Sequence, residues 1–272
     1  YELNSFKKYY ANAPYIESLF IYFYPNEKVA VEALNKGSIE SLGGISPQEA
    51  MKVSSTTSQI KIISTPLPRI FGIFFNQNNA TVFANKEVRQ ALDIALDKDK
   101  FIQKVIYGYG VEIDSPFPSG TINSTSSDIH KVDKNKAKEI LAKAGWTINS
   151  NGVLEKKDKK STQVLEFSIS TADAPDLKLA AEIAKEEWES IGAKVNVKVF
   201  EYGDLSQNII KTRKYDSLLF GEYIGKDLDL YAFWHSSQRN SPGLNVSMYA
   251  NSKVDKILED ARTTTDEKAK DN

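Results

Sequence analysis

His130 and His235 are the two imidazoles of this chain, and Ser236 and Ser237 follow the second directly, with Asp227 and Asp229 just upstream. Histidine, hydroxyl and carboxylate are the parts of a nucleophilic hydrolase. That chemistry needs a base at hydrogen-bond distance from the nucleophile and preorganised donors for the developing oxyanion. Neighbours on one short segment seldom supply both, and no HExxH, GxSxG or phosphate-loop pattern occurs. Asp227 and Asp229 also suggest a glycosidase pair, whose carboxyls stand roughly 5–9 Å apart across a cleft, but nothing in the sequence positions them so. A divalent ion at His235 with Asp227 or Asp229 would draw on an imidazole-poor ligand set. The 272 residues contain no cysteine, which removes thiolate catalysis, disulfides and cysteine-ligated zinc. The expectation is a protein that is not an enzyme and holds neither cofactor nor metal.

Binding is the better use of these residues. A strand ending near Phe220 would leave Gly221, Glu222 and Tyr223 at its carboxyl end, where open α/β sheets bind ligands, with Gly221 admitting close approach to the backbone. Trp234 could form an apolar wall and Asn245 a polar anchor with both donor and acceptor. Phe75 and Asn76 end another aromatic strand and complete the candidate ligand-binding set with Asp227 and Asp229. Three have structural alternatives: a turn for Asn76, loop or helix-cap roles for Asp227 and Asp229. Arg89 reads as an ion-pair or carbonyl-binding residue, Trp146 and Trp188 as core, and Asp255 as a cap or tether of the last helix.

The elements that must position these groups follow from periodicity and breakers. Leu19–Tyr24 and 59–64 read as strands around helices at 27–35 and from Ser46-Pro47. After a Thr65–Pro68 break come a strand over 70–76, two helices within 86–107, a polar loop over 119–129, and a helix capped by Asp133 and ended by Gly145. Asn151-Gly152 marks a hairpin. A strand over 165–171, a helix over 176–191 and a strand over 194–200 form a crossover unit that implies parallel pairing. A strand over 215–220 and a helix over 252–262 close the series. Hydrophobic residues at 41%, with 35 basic against 36 acidic side chains, describe an ordinary globular protein with no bulk field for nucleic acid or anionic lipid. The Lys156–Lys160 cluster is most simply a solvated hairpin tip. No apolar run reaches the ~20 residues of a membrane helix. The chain opens without an initiator Met and reads as a piece of something longer.

Several stretches together resemble one family. IFFNQNNATVFANKEVRQALDIALDKDK at 73–100 is similar to an "FN … VRQAL … aiDr" run. KAKEILAKAGW with NGVLEK at 136–156, EWESIGAKVNVK at 187–198 and YDSLLFGEY through VDKILEDAR at 215–262 continue in the same order. The family is that of the family 5 extracytoplasmic solute-binding proteins, the oligopeptide-, dipeptide- and nickel-binding receptors of ABC importers. The resemblance implies an α/β, periplasmic-binding-protein-like fold (type II, cluster C) with a mixed sheet flanked by helices. It implies residues 1–64 as part of lobe I, 65–76 as an inter-lobe hinge strand and 77–272 as lobe II. The implied function is capture of a small solute, foremost a peptide, between two lobes for delivery to an ABC transporter permease. The implied setting is the periplasm or outer membrane face, as a monomer, with lipid anchoring of the native protein, and without nucleic acid. The alternative is a surface scaffold on the same fold with a decayed pocket. The family's strand end reads "GW..Dy.dP", its Trp lining the pocket and its first Asp receiving the peptide amino terminus. Here Glu222 stands at the Trp and Leu230 at the Pro, and the spacing differs, which puts the match of Asp227 to that carboxylate in doubt.

Overall fold

The computed structural model describes residues 1–12, 14–56, 60–65, 67–118, 131–159, 161–225 and 228–266. The chain divides into two units, Tyr1–Ser64 and Thr65–Asn272. In the first, β1 (Glu2–Asn4) and β2 (Ser18–Phe20) form an antiparallel ribbon, followed by α1 (Glu27–Asn35) and α2 (Pro47–Thr56). Asn26 caps α1 by accepting the Val29 N–H at 3.1 Å, and the helix buries Ala30 and Val31. The expected strand over 19–24 is a three-residue one, and residues 60–64 carry no strand. Alternation of side chains does not make a strand without a ladder partner.

The second unit is built on a four-stranded mixed sheet. Its strands are β3 (Arg69–Phe75), then, beyond a small hairpin layer, β7 (Glu166–Ala172), β8 (Lys194–Phe200) and β9 (Ser217–Tyr223), in the spatial order β3-β9-β7-β8. The hairpin layer comprises β4 (Thr147–Ile148), β5 (Leu154–Lys157) and β6 (Thr162–Val164). β7 pairs parallel with β8 and with β9, while β3 runs antiparallel to β9 through seven residue pairs, from Arg69↔Tyr223 to Phe75↔Ser217. Within the segment expected to be an inter-lobe hinge strand, 65–76, Arg69–Phe75 is β3 of this sheet. Backbone pairing between β7 and β9 covers only Ile169↔Ser217 and Ser170↔Leu218. Side chains lengthen that seam: Ser217 Oγ donates to Ser168 O at 2.8 Å, and Thr171 Oγ1 to Leu219 O at 3.2 Å.

One sheet face carries the larger core. Here α3 (Lys86–Ala95), α4 (Lys98–Val105), α5 (Lys134–Lys143) and α6 (Pro175–Glu189) lay their apolar stripes on Phe167, Ile169, Val195 and Leu219. Phe75, Phe83, Phe167 and Trp188 form a chain of aromatic contacts with centroids 4.5–5.8 Å apart. The Trp188 indole donates to Leu92 O at 2.8 Å, so this core position of α6 is satisfied as well as packed. Trp146 and Trp188 are both buried, as their positions beside Gly145 and on a helical stripe suggest. Arg89 donates to the carbonyls of Phe83 and Ala84, tying α3 to the turn before it. Gly192 ends the α6 segment at φ +99°, and a Cβ there would lie 2.9 Å from Leu154 Cγ, so both backbone angle and hairpin packing require glycine.

Glu187 is the buried charge of this layer. It accepts from Lys100 at 2.6 Å and forms an ion pair with Lys134. Burial raises its pKa, but the hydrogen bonds from Lys100 and Lys134 and their charge outweigh that and hold the carboxyl below its ordinary 4.5. The contribution of a depressed carboxyl is present above the unfolded value and is lost as pH falls through the folded one. We therefore expect Glu187→Gln to destabilise by about 1–3 kcal/mol at pH 7. In urea titrations the gap to wild type should close as pH falls below 4.5.

Candidate functional site

The three parallel strands have their carboxyl ends at one edge, Ala172 level with Phe200, while β9 runs on past the level of Ala172 to Tyr223, and β3 begins at that edge, since Arg69 pairs with Tyr223. Alternation then sorts the side chains by face. Arg69, Phe71 and Tyr223 share one face, and Phe71 lies opposite Gly221. This ledge is open: Phe71 is 53% and Tyr223 62% exposed, with the Arg69 guanidinium 4.9 Å from the Phe71 ring centroid. Sequence reading reserved the space above Gly221 for a ligand. The Phe71 ring fills it: a Cβ on Gly221 would meet Phe71 Cε1 at 2.8 Å. Arg69 and Phe71 were not among the expected site residues. Their signal is the alternation of RIFGIFF, which reports a shared face only once the partner strand is known.

Glu222 points to the other face, across from Ile70. It is 6% exposed, and Oε2 has no hydrogen-bond partner among the described residues. Burial alone pushes its carboxyl up to about 8. Around it lies an apolar cluster of Ile70, Ile224 and Leu230, joined by Phe233, Trp234 and Leu258. The last three come from α8 (Tyr231–Trp234), which follows the one-turn α7 (Tyr202–Asp204) and β9, and, beyond a short 3₁₀ turn at Ser236–Gln238, α9 (Ser252–Thr263). Trp234 reaches along this face to Phe74, 6.4 Å between centroids, and its Nε1 is likewise buried without a partner.

Phe75 and Asn76 do not join this site. Phe75 pairs with Ser217 at the opposite end of the ladder, about 20 Å from Tyr223 at ~3.3 Å per residue. Its ring stacks on Phe83 in the core. Asn76 is 1% exposed; its Oδ1 accepts the N–H groups of Asn78 and Asn79, and its Nδ2 donates to Arg213 O. It shapes a turn, the structural alternative named for it.

Asn245 and Asp229 are engaged internally. Asn245 is fully buried, donates to Tyr249 O at 2.9 Å and to the carbonyls of Trp234 and His235, and accepts the Tyr249 N–H at 3.1 Å. Asp229 caps α8 through the Tyr231 N–H and takes a two-pronged contact from Arg262 at 2.6 and 2.9 Å. Asp255 accepts both the N–H and the hydroxyl of Ser236, tethering α9 to the 3₁₀ turn. Asp227 and His130 lie outside the described residues, so the proposed Asp227–Asp229 carboxylate pair has no described geometry. His235 caps the 3₁₀ turn: Nδ1 accepts the Ser237 N–H at 3.1 Å and contacts Ser237 Oγ at 2.8 Å. That is the local contact of adjacent residues, with no donor pair arranged for an oxyanion. Among the described residues no cluster of three or more His, Asp or Glu could hold a metal. Two hollows of about 480 and 370 Å³, beside Glu187 and beside Trp146, are lined by none of the expected site residues.

A mixed sheet with helices on both faces and an aromatic ledge at its carboxyl edge defines a periplasmic-binding-protein-like unit. The chain belongs to the bacterial extracellular solute-binding proteins, family 5, whose middle region matches residues 1–243. It is 29% identical over 265 residues to the oligopeptide-binding protein AppA of Bacillus subtilis, covering 96% of this chain and 48% of that one. It is also 29% identical over 221 residues to the heme-binding protein A of Haemophilus influenzae, covering 79% and 38%. The structure of B. subtilis AppA in complex with a nonapeptide matches with a TM-score of 0.73 at 26% identity, covering 99% of this chain and 54% of that one. A peptide-binding-protein structure from Clostridium difficile matches in fold with a TM-score of 0.81 at 23% identity, covering 99% and 53%. The chain spans about half the length of the curated relatives it matches.

Two stability predictions follow from this geometry. Asn245→Ala strands the buried carbonyls it serves and should cost roughly 2–4 kcal/mol in urea unfolding. For Glu222, the unfolded chain loses its proton near 4.5 and the folded chain near 8. Between those values the folded state holds more protons, so stability falls with rising pH and levels off above. Glu222→Gln escapes that loss. Its unfolding free energy should match wild type below pH 4.5 and exceed it by up to about 5 kcal/mol above pH 8.

Proposed function

We propose that this chain is the greater part of one lobe, with a smaller part of the other, of the solute-binding component of an ABC importer. In this reading it captures a small solute, foremost a peptide, and presents it to a membrane permease from the extracytoplasmic side. The observation that carries the reading is the edge at which β7, β8 and β9 end, where Arg69, Phe71 and Tyr223 stand open to solvent. Two aromatic faces and a guanidinium suit a ligand with apolar side groups and carbonyl or carboxylate oxygens, and a peptide offers both. The nonapeptide complex of the AppA relative supports the peptide class. The heme-binding relative marks the breadth of solutes handled on this framework. Binding without reaction is in keeping with the family and with His235 and Ser237 meeting only as turn neighbours. Asp227 and Asp229 stay in the proposed ligand-binding segment, Glu222 and Trp234 support it from the buried face of the same strand end, and Asn245 supports it from within through the backbone of 234–249.

The test uses the protein at its natural length, purified under native conditions and then denatured, with released small molecules identified by mass spectrometry. A stoichiometric peptide or peptide mixture is the expected result, and Phe71→Ala with Tyr223→Ala should reduce the amount retained at least tenfold. A protein that emerges empty and shows no thermal shift with peptide, haem or metal-complex libraries would overturn the receptor reading in favour of a surface scaffold.

A further inference from the structure

Four buried side-chain polar atoms lack a hydrogen-bond partner among the described residues, and three of them belong to Glu222, Trp234 and His235. These residues lie within one short stretch, from the end of β9 to the turn after α8. Orphaned polar atoms are rare in protein interiors, and a cluster of them marks a place held for something other than stability. His235 Nε2 still has carboxylates nearby, Glu259 at 3.5 Å and Asp255 at 4.0 Å. Glu222 and Trp234 share the sheet face that runs from Ile70 to Phe74, with apolar side chains around them.

Among the described residues, the charged and titratable groups nearest Glu222 are turned toward other partners. Arg69 lies over Phe71 on the opposite face, and Asp114, in the loop that contributes Ile113 and Phe117, pairs with Lys98. On the α8 side, Tyr231 stacks on His235, while Arg262 spans Asp229 and the Tyr231 ring. Asp255 is held by Ser236, and Glu259 faces His235. The ionisation of Tyr215 is tied to the charge on Glu222. Burial pushes its phenol up to about 12, so it stays neutral, and it donates to Val246 O. Among the described residues, a carboxylate at Glu222 would therefore find no counter-ion, and its buried Oε2 no donor; a buried charge so placed neutralises or leaves.

We propose that Glu222 is a proton-operated latch at the carboxyl end of β9. With its proton, the side chain stays in the apolar layer and Trp234 and Leu230 keep their seats on the sheet. Without it, the carboxylate moves out to water and that packing opens locally, while the core on the other face is untouched. The device regulates the strand end to which the solute site is assigned. Its meaning for uptake rests on that assignment, but the motion itself does not.

The three tryptophans make the motion readable. Trp146 and Trp188 are buried in the opposite core, and Trp234 alone lies on the Glu222 face. With 5-fluorotryptophan incorporated into the 272-residue chain and no solute added, ¹⁹F NMR from pH 6 to 9.5 should show the Trp234 signal moving through a single-proton transition near 8. The signals of Trp146 and Trp188 should stay in place, and Glu222→Gln should leave the Trp234 signal flat. A Trp234 signal that does not move, or that moves equally in Glu222→Gln, overturns the latch. So does a transition in which all three signals shift together, which would be global unfolding. Should Glu222→Gln fail to fold, the ¹³C-labelled glutamate carboxyls of wild type decide. A slow-titrating resonance near 8 that follows Trp234 upholds the latch, and its absence refutes it. Because no solute is present, failure here leaves the receptor reading standing, and an empty receptor leaves the latch standing.

Discussion

The seven-pair antiparallel register between β3 and β9 is the constraint on which the rest of this structure depends. It sets Arg69 against Tyr223 and Phe71 against Gly221, which makes the ledge, and Ile70 against Glu222, which buries the carboxyl. A slip of one residue would exchange the faces of every side chain on the strand. Ile73 and Phe75 would then leave the larger core, while Ile70 and Phe74 would leave the smaller ones. The apolar content of both faces therefore selects this register. The exposure of Tyr223 and the burial of Glu222 are consequences of it.

Polar staples hold the register at its closed end. The Asp216 carboxylate accepts from the backbone and hydroxyl of Ser168 at 2.9 and 2.7 Å and from Asn79 at 2.8 Å, joining β7, β9 and the turn after β3. Arg213, at φ +58°, spends its guanidinium on the carbonyls of Ile210, Arg239 and Gly243. Its own carbonyl receives Asn76. Charge-assisted bonds of this kind are stronger than neutral ones, and they concentrate at the end of the sheet away from the ledge. The carboxyl end has no such fastening at Glu222. The sheet is thus fastened at one end and, among the described residues, leaves a buried acid without a partner at the other.

Much of the architecture was legible in the residues. The Asp133 cap, the Ala137/Leu141 stripe and the Gly145 stop define α5, and the strand–helix–strand unit over 165–200 pairs parallel, as its crossover length requires. The family pattern was legible as well, because its fragments recur in order along the chain. The roles of Asn76 and Asp229 were legible only as alternatives, and that of Asn245 was not legible. Each is a polar residue next to a strand or helix end, and such residues serve turns and caps as readily as ligands. Asn245 was assigned to the ligand because its amide offers both donor and acceptor, and the fold uses that capacity on its own backbone. Phe75 was grouped with Tyr223 in one ligand-binding set. Antiparallel pairing sends the two residues to opposite edges of the sheet.

The sequence by itself determined the helices, the parallel crossover, the absence of thiol chemistry and the family, because periodicity, caps and ordered motifs are local properties of the chain. Which strand lies beside which, and in what direction, is not local. Only the tertiary structure set β3 antiparallel to β9, and with it brought Arg69 and Phe71 to the edge beside Tyr223, sent Phe75 and Asn76 to the opposite one, and enclosed Glu222. A carboxylate in a sequence carries no sign of the dielectric it will meet. That is decided by which apolar side chains fold over it.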